Sequence, residues 1–379
     1  MTQHYDVAVI GGGIVGLSHA WMAARRGLRV VLLERTAVAE GASVRNFGMI
    51  WPIGQPAGPL LDMAWRSREI WLQVLQASGL WHEQAGSLHV ACHDDEAQVL
   101  REFVETNRHV RECEMLTPAQ VGARCPAVRR EGLRGGLWSP GEVTVDPRHV
   151  IAELPGWLQR TFGVEFHFGV RALDYDQPRL RTTAGDFTAS RVVVCTGADF
   201  QELAPAAFAD SGLMLCKLQM MRTSRQPGEF RIGTMLAAGL TLLHYPAFVA
   251  CPTLPALARR LNAELQAYRF YGIHVLVSQN GMGEIVLGDS HEYGDAIEPF
   301  DKIDIDFLVL EYLRTFVRIP DVKIAARWQG FYVKSPTQPY VIAEPGPGML
   351  AVTGVGGAGM TLSLGLAEQT IRRWLGEVP

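Results

Sequence analysis

A chain of 379 residues, at roughly 150 residues per domain, holds two to three domains' worth of polypeptide and can bury a large core. Its 48% hydrophobic and 20% charged residues exclude a disordered, collagen-like or coiled-coil chain. With 35 Lys+Arg against 39 Asp+Glu, a formal net charge of -4, there is no basic excess to recommend nucleic acid as a partner.

The 39 glycines gather at the two ends of the chain. From Tyr5 the text YDVAVIGGGIVGLSHAWMAARRGLRVVLLERT predicts a β-branched strand, a glycine turn, a helix and a second strand over Arg29–Leu33. Gly11, Gly13 and Gly16 satisfy G-x-G-x-x-G: the first permits the tight turn, the second lets backbone approach a pyrophosphate, and the third lets helix pack on strand. Glu34, eighteen residues after Gly16, stands where an acid hydrogen-bonds ribose hydroxyls, which favours FAD or NAD over NADP. This unit alone does not distinguish FAD from NAD.

Further along, Asp146–Gly163 has helical spacing with a proline-introduced start, and Val164–Phe168 reads as a strand. Arg191–Phe200 (RVVVCTGADF) reads as another parallel strand ending at Thr196 and Gly197. Beyond it, Leu213–Met221 and His274–Ser278 are strand-like, Glu284–Leu287 is a further strand, and Pro255–Gln266 and Asp304–Arg318 are helical. The C-terminal MLAVTGVGGAGMTLSLGLAEQTIRRWL is a strand, a glycine loop and a helix. It can bring backbone N–H groups and a helix N-terminus against a planar, partly anionic group. The uncharged stretch Pro345–Ala367 is interrupted throughout by glycine and proline, so no membrane span is expected. Cys92, Cys113, Cys125, Cys195, Cys216 and Cys251 form no C-x-x-C pair and are expected as buried free thiols. With an apolar run at Val7–Ile10 too short for a signal peptide, this predicts a cytoplasmic protein.

With its three glycine-bearing elements in that order, the chain resembles the FAD-dependent amine and amino-acid oxidoreductases of the D-amino-acid oxidase, glycine oxidase and sarcosine oxidase family. The resemblance runs nearly end to end and is carried by VIGGGIVGLSHA with Glu34-Arg35, GASVRNFGMIWPIGQ, VVVCTGA, CKLQMMRT and VTGVGGAGMTLSLGLAEQ. It implies an α/β fold, in which a Rossmann-like FAD-binding domain is interleaved with an α+β substrate domain bearing a large, mostly antiparallel sheet. Segments 1–85, 141–212 and 322–379 are expected to form the first domain, and 86–140 and 213–321 the second. The ADP half is implied to contact Gly11, Gly13, Ile14, Val15, Gly16, Glu34 and Arg35, with Val170 at the adenine. Ser43, Arg45, Asn46, Phe47 and Gly48 are implied at the pyrophosphate and ring edge, and Thr196 and Gly197 beside the cofactor. The isoalloxazine is implied to meet Gly354, Gly356, Gly357, Gly359, Met360 and Thr361. Gly330 stands where the sarcosine oxidase branch carries a flavin-tethering cysteine, so FAD is expected to be non-covalent, with no metal. The related disulfide reductases need a mid-chain NAD fingerprint and a close redox cysteine pair, and neither is present.

RNFGMIWPIGQPAG and YGIHVLVSQNGMGEIVLGDSHEYGD together resemble the subgroup associated with phosphonate catabolism. That implies oxidation of a small aminophosphonate related to 2-aminoethylphosphonate, in N-methyl or 1-hydroxy form, to an imine that hydrolyses to an aldehyde. A phosphonate needs several donors, and Arg45, His244, Tyr245, His291, Arg327 and Lys334 are the candidates, with Met49 beside them. The amino-acid oxidase branch clamps its carboxylate with an arginine in a G-x-R-P-like stretch, and here Arg327 and Lys334 merely flank the nearest text. Oxygen activation favours a cation near the flavin, for which Lys217 is the candidate. The acceptor is oxygen or an electron carrier. A glycine-, sarcosine- or D-amino-acid-type substrate is the alternative within the family. A non-catalytic flavin-binding subunit and a membrane-associated dehydrogenase feeding quinone are further readings. Oligomeric state stays open.

Overall fold

The structure is a computed structural model that describes residues 4–294 and 296–377. Its first sheet is built on parallel strands in the order Glu165–Phe168, Val30–Glu34, His4–Ile10, Gly185–Val194 and Met349–Thr353. The central strands are near-continuous Val, Ile, Leu and Ala, as a parallel sheet covered on both faces requires. Val9 lies opposite both Leu32 and Val193. The long Gly185–Val194 strand serves two neighbours along one edge. Its start pairs antiparallel with Arg179–Thr182 and its end pairs parallel with Met349–Thr353.

Helices Ile14–Ala24, Pro59–Ser78, Pro147–Phe162 and Gly359–Trp374 pack their apolar stripes on one face, around Trp71, Leu17, Leu154 and Leu364. Pro147–Phe162 shows why its bounds were legible. Asp146 caps it by accepting from the Arg148 amide, Pro147 opens the first turn, and Gly163 ends it with φ 69°.

The second sheet runs Glu292–Gly294, Met214–Thr223, Ile285–Gly288, Leu276–Gln279, Met235–Ala237, Ser87–Ala91, Gly135–Ser139 and Glu114–Leu116. All neighbours are antiparallel except Met235–Ala237 with Ser87–Ala91. Ile324–Lys334, expected with the nucleotide-binding segments, instead pairs along the whole of Met214–Thr223, from Met214 opposite Lys334 to Thr223 opposite Ile324. Its alternating exposure suits the edge of an antiparallel sheet and not the apolar interior of a parallel one. Helices Leu254–Glu264 and Ile303–Phe316 lie within a residue or two of their expected bounds. Among the described residues no helix is long and apolar enough to cross a membrane. All six cysteines are free; Cys92 and Cys113 are only half-buried.

Candidate active site

A cleft of about 680 Å³ is lined from both sheets, beginning at the carboxyl ends of His4–Ile10 and Val30–Glu34. Gly11 holds φ +108°, and a Cβ there would stand 2.4 Å from the Cys195 carbonyl. A Cβ at Gly16 would stand 1.9 Å from the Gly11 carbonyl, so Gly16 packs the turn and does not line the cleft. Gly13, Ile14 and Val15 bring the N-terminus of the first helix to the wall, the end at which a helix favours phosphate. Ser43 Oγ accepts from the Ile14 amide at 2.9 Å. Asn46 positions that loop by donating to the Ala42 and Ser43 carbonyls and accepting from the Gly48 amide. Glu34 is fixed by the Gly12 amide at 2.7 Å on one oxygen and by the amide and hydroxyl of Thr36 on the other. The Val170 amide donates to the Glu34 carbonyl at 3.0 Å, setting Val170 on the same wall. Arg35 pairs with Asp199 at 2.6 Å, and both line the cleft beside Thr196 and Gly197.

At the other end of the first sheet, Met349–Thr353 runs into Gly354, at φ +72°, and then into Gly357, Gly359 and Met360, all on the wall. The Gly359–Trp374 helix has no side-chain cap. Its free N-terminal dipole opens beside the cleft, where it favours negative charge on a bound ring. The Met360 carbonyl accepts from Trp71 Nε1 at 2.7 Å, and Thr361 Oγ1 accepts from the Trp51 amide at 2.9 Å. The two helix N-termini, the glycine-lined backbone between them and the fixed Glu34 carboxylate fit FAD laid along the cleft.

The cleft continues over Leu215, Leu218, Met220 and Leu276 to a chamber bearing His244, Tyr245, His274, Asp289, His291, Tyr332 and Lys334. Three imidazoles crowd there: ring centroids of His244 and His274 are 3.8 Å apart, His244 and His291 4.4 Å, and His274 and His291 5.1 Å. His274 Nε2 lies 3.3 Å from Asp289 Oδ1, and His291 Nε2 3.7 Å from Oδ2. Burial pushes His291 down to about 4 and holds His244 and His274 well below the usual histidine range. Burial also holds Asp289 well above the usual carboxylate range. Arg45 reaches the cleft from the nucleotide side and donates to the Gln329 carbonyl at 3.1 Å. Gly330 and Phe47 line the wall nearby.

Several expected residues lie elsewhere. Lys217 points to the sheet face opposite Leu218 and Met220, fully buried, with its ammonium donating to the Glu298 and Phe300 carbonyls and 3.8 Å from Glu292. It is an internal tie and not a cation facing the cleft. Arg327 is likewise turned out of the cleft, half-exposed, and ion-paired to Asp306 at 2.6 Å. Met49 is buried in a small three-stranded sheet opposite Thr144. A Cβ at Gly48 would stand 2.0 Å from the Val145 carbonyl, so Gly48 packs beneath the wall. Gly356 and Thr361 do not line the cleft; Thr361 Oγ1 instead accepts from the Trp51 amide. Conversely, His274 and Asp289 were not expected at the site. They face each other across a hairpin, each amide donating to the other's carbonyl, at 3.3 and 3.0 Å. The signal was the turn between them, where Asn280 Oδ1 accepts from the amides of Met282 and Glu284.

The family described as FAD dependent oxidoreductase matches residues 6–373. Glycine oxidase from Geobacillus kaustophilus is 27% identical over 212 residues, 52% of this chain and 56% of that protein, so the match spans about half of its length. An opine oxidase subunit from Rhizobium meliloti is 22% identical over 347 residues, 87% of this chain and 82% of that protein. The crystal structure of glycine oxidase from Bacillus cereus shares the fold, with TM-score 0.79 and 19% identity over 99% of this chain and 96% of that one.

Proposed function

The chain belongs to the family of FAD-dependent oxidoreductases, and from that premise we propose that it oxidises the C–N bond of a small anionic amine. The substrate is an aminophosphonate related to 2-aminoethylphosphonate, in N-methyl or 1-hydroxy form. Two electrons and two protons leave the CH–NH unit to give an imine, oxygen takes them up as hydrogen peroxide, and water releases aldehyde and amine. FAD, held non-covalently, supplies the redox chemistry when bound. The protein's share is orientation and electrostatics.

One observation carries the reading: two cations, Arg45 and Lys334, neither paired with a carboxylate among the described residues, both line the cleft, which is also lined by apolar Leu218, Met220 and Leu276. Such a chamber excludes water around an amine while offering its anionic end more than one donor. Arg327 is engaged by Asp306 and takes no part.

The test is anaerobic bleaching of the yellow protein by a panel of 2-aminoethylphosphonate, its N-methyl and 1-hydroxy forms, glycine, sarcosine and D-alanine. Reduction by the phosphonates alone is expected. Reduction only by the carboxylates would replace the substrate class and leave the cofactor untouched. The similarity to one component of an opine oxidase favours a second reading, in which the chain binds flavin and works within a larger assembly. Peroxide produced from an amine by the isolated chain excludes it.

A further inference from the structure

We infer that His244, His274, His291 and Asp289 form a binding site for a divalent transition-metal ion at the inner end of the cleft. The four donors come from three places in the fold: the turn after the short Gly239–Leu242 helix, the residue leading into Leu276–Gln279, and the segment leaving Ile285–Gly288. One nitrogen from each imidazole lies within 4.8 Å of the others. Ligand nitrogens at about 2.0–2.1 Å from a tetrahedral ion stand about 3.4 Å apart. Modest side-chain rotation therefore brings the three nitrogens onto one ion, with the Asp289 carboxylate beside two of them, 3.3 Å from His274 and 3.7 Å from His291.

Independent features point the same way. His274 Nδ1 is buried with no hydrogen-bond partner, and His274 Nε2 and Asp289 Oδ1, also buried, face each other at 3.3 Å without a hydrogen bond between them, a costly arrangement unless something joins them. The Gly272 carbonyl accepts from His291 Nδ1 at 3.0 Å. That bond places the proton on Nδ1 and leaves the Nε2 lone pair facing the Asp289 carboxylate, the backbone-carbonyl support that metal-ligating histidines use. Both are acceptors, 3.7 Å apart, that a cation placed between them would join.

The cluster suits a cation better than the substrate's anion. Rings 3.8 Å apart cannot all protonate without strong like-charge repulsion, and a carboxylate in their midst opposes an anion further. Lys334 is the opposing charge, and its ammonium leans over the Tyr293 ring at 5.6 Å. Imidazole nitrogen with one carboxylate oxygen selects zinc, cobalt, nickel, copper or ferrous iron over magnesium or calcium. All four donors line the cleft, so an ion held here faces it and can take an oxyanion of a bound molecule. That last step rests on the proposed substrate class; the binding of metal does not.

The FAD-loaded protein, treated with chelator and dialysed, is titrated with cobalt(II) and with zinc(II). Binding is read by calorimetry, bound metal by elemental analysis, and cobalt ligation by its visible ligand-field bands. The expected result is one ion per chain with tetrahedral or five-coordinate cobalt bands. His274→Ala and Asp289→Asn should each weaken binding by more than about 100-fold, beyond the 10–100-fold carried by groups that merely support a ligand. Arg327→Gln should leave it unchanged. Flavin absorbance and circular dichroism report whether each variant folds; if either fails, His291→Gln is the replacement. No ion bound at micromolar metal, or binding that survives loss of His274 and Asp289, would overturn the inference. So would chelator-insensitive binding of methylphosphonate that depends on these same residues, because the cluster would then hold the anion itself. None of these readouts uses turnover, so failure of the proposed reaction is separately visible.

Discussion

Arg327 and Lys334 sit seven residues apart on one strand, yet only Lys334 reaches the cleft. Lys334→Gln is therefore expected to raise KM for an anionic amine by about 10–100-fold, the scale of one lost charge-assisted contact, whereas Arg327→Gln should leave KM within about twofold of the parent. Steady-state kinetics on both variants decides it. Glu142 offers a prediction independent of substrate. Its carboxylate is buried, accepting from the Ile53 amide and the Ser87 hydroxyl, and burial raises it from 4.5 to about 7. The folded state then holds the proton more tightly than the unfolded one. The stabilisation is complete below pH 4.5 and is lost as pH rises toward 7. At about 1.4 kcal/mol per pH unit this amounts to about 3 kcal/mol. Glu142→Gln should flatten that fall, so denaturant unfolding between pH 4.5 and 8 should show the variant gaining on the parent as pH rises. At this scale the sequence was legible where backbone geometry demands one residue type, as at Gly11. It was not legible where a side chain's direction decides, as for Lys217, because two neighbours on a strand face opposite ways and only register tells which face meets the cleft.

Elements were easier to read than residues, because their ends carry chemistry. Asp146-Pro147 and Gly163 mark one helix almost to the residue, and the strand, glycine turn and helix of the nucleotide unit follow in the expected order. The Ile14–Ala24 helix is the exception that matters: Gly13 cannot cap it, and the cap comes from Ser43 in a distant loop. Ser43→Ala should cost about 1 kcal/mol of stability and also loosen FAD, because the same loop lines the cleft. Thermal unfolding with and without added FAD separates the two effects. The Leu276–Gln279 and Ile285–Gly288 hairpin was recognised as two strands but not as the device that sets His274 against Asp289. Its turn residues were in view, and only the pairing was missing.

For the molecule as a whole, the strand that chain order does not place is Ile324–Lys334, which continues directly into segments of the first sheet while itself pairing within the second. Chain order is a poor guide to such interlocking, because hydrogen-bond partners here lie about a hundred residues apart in sequence. Lys217 belongs to this scale too. Lys217→Met should leave the rate of flavin reoxidation unchanged, since the ammonium is spent inside the second sheet, while costing roughly 2 kcal/mol through the carbonyls it leaves bare. Stopped-flow reoxidation and denaturant unfolding read the two separately.

The Gly185–Val194 strand needs Met349–Thr353 at its far edge, and the Gly359–Trp374 helix packs against both Ile14–Ala24 and Pro59–Ser78. During synthesis, then, the dinucleotide fingerprint leaves the ribosome hundreds of residues before the wall that completes its cleft. A nascent chain halted before Met349 carries every glycine of the N-terminal turn and still has no place to keep the cofactor. Flavin capture thereby waits until Met349–Trp374 has been made, and a chain halted before it stays colourless.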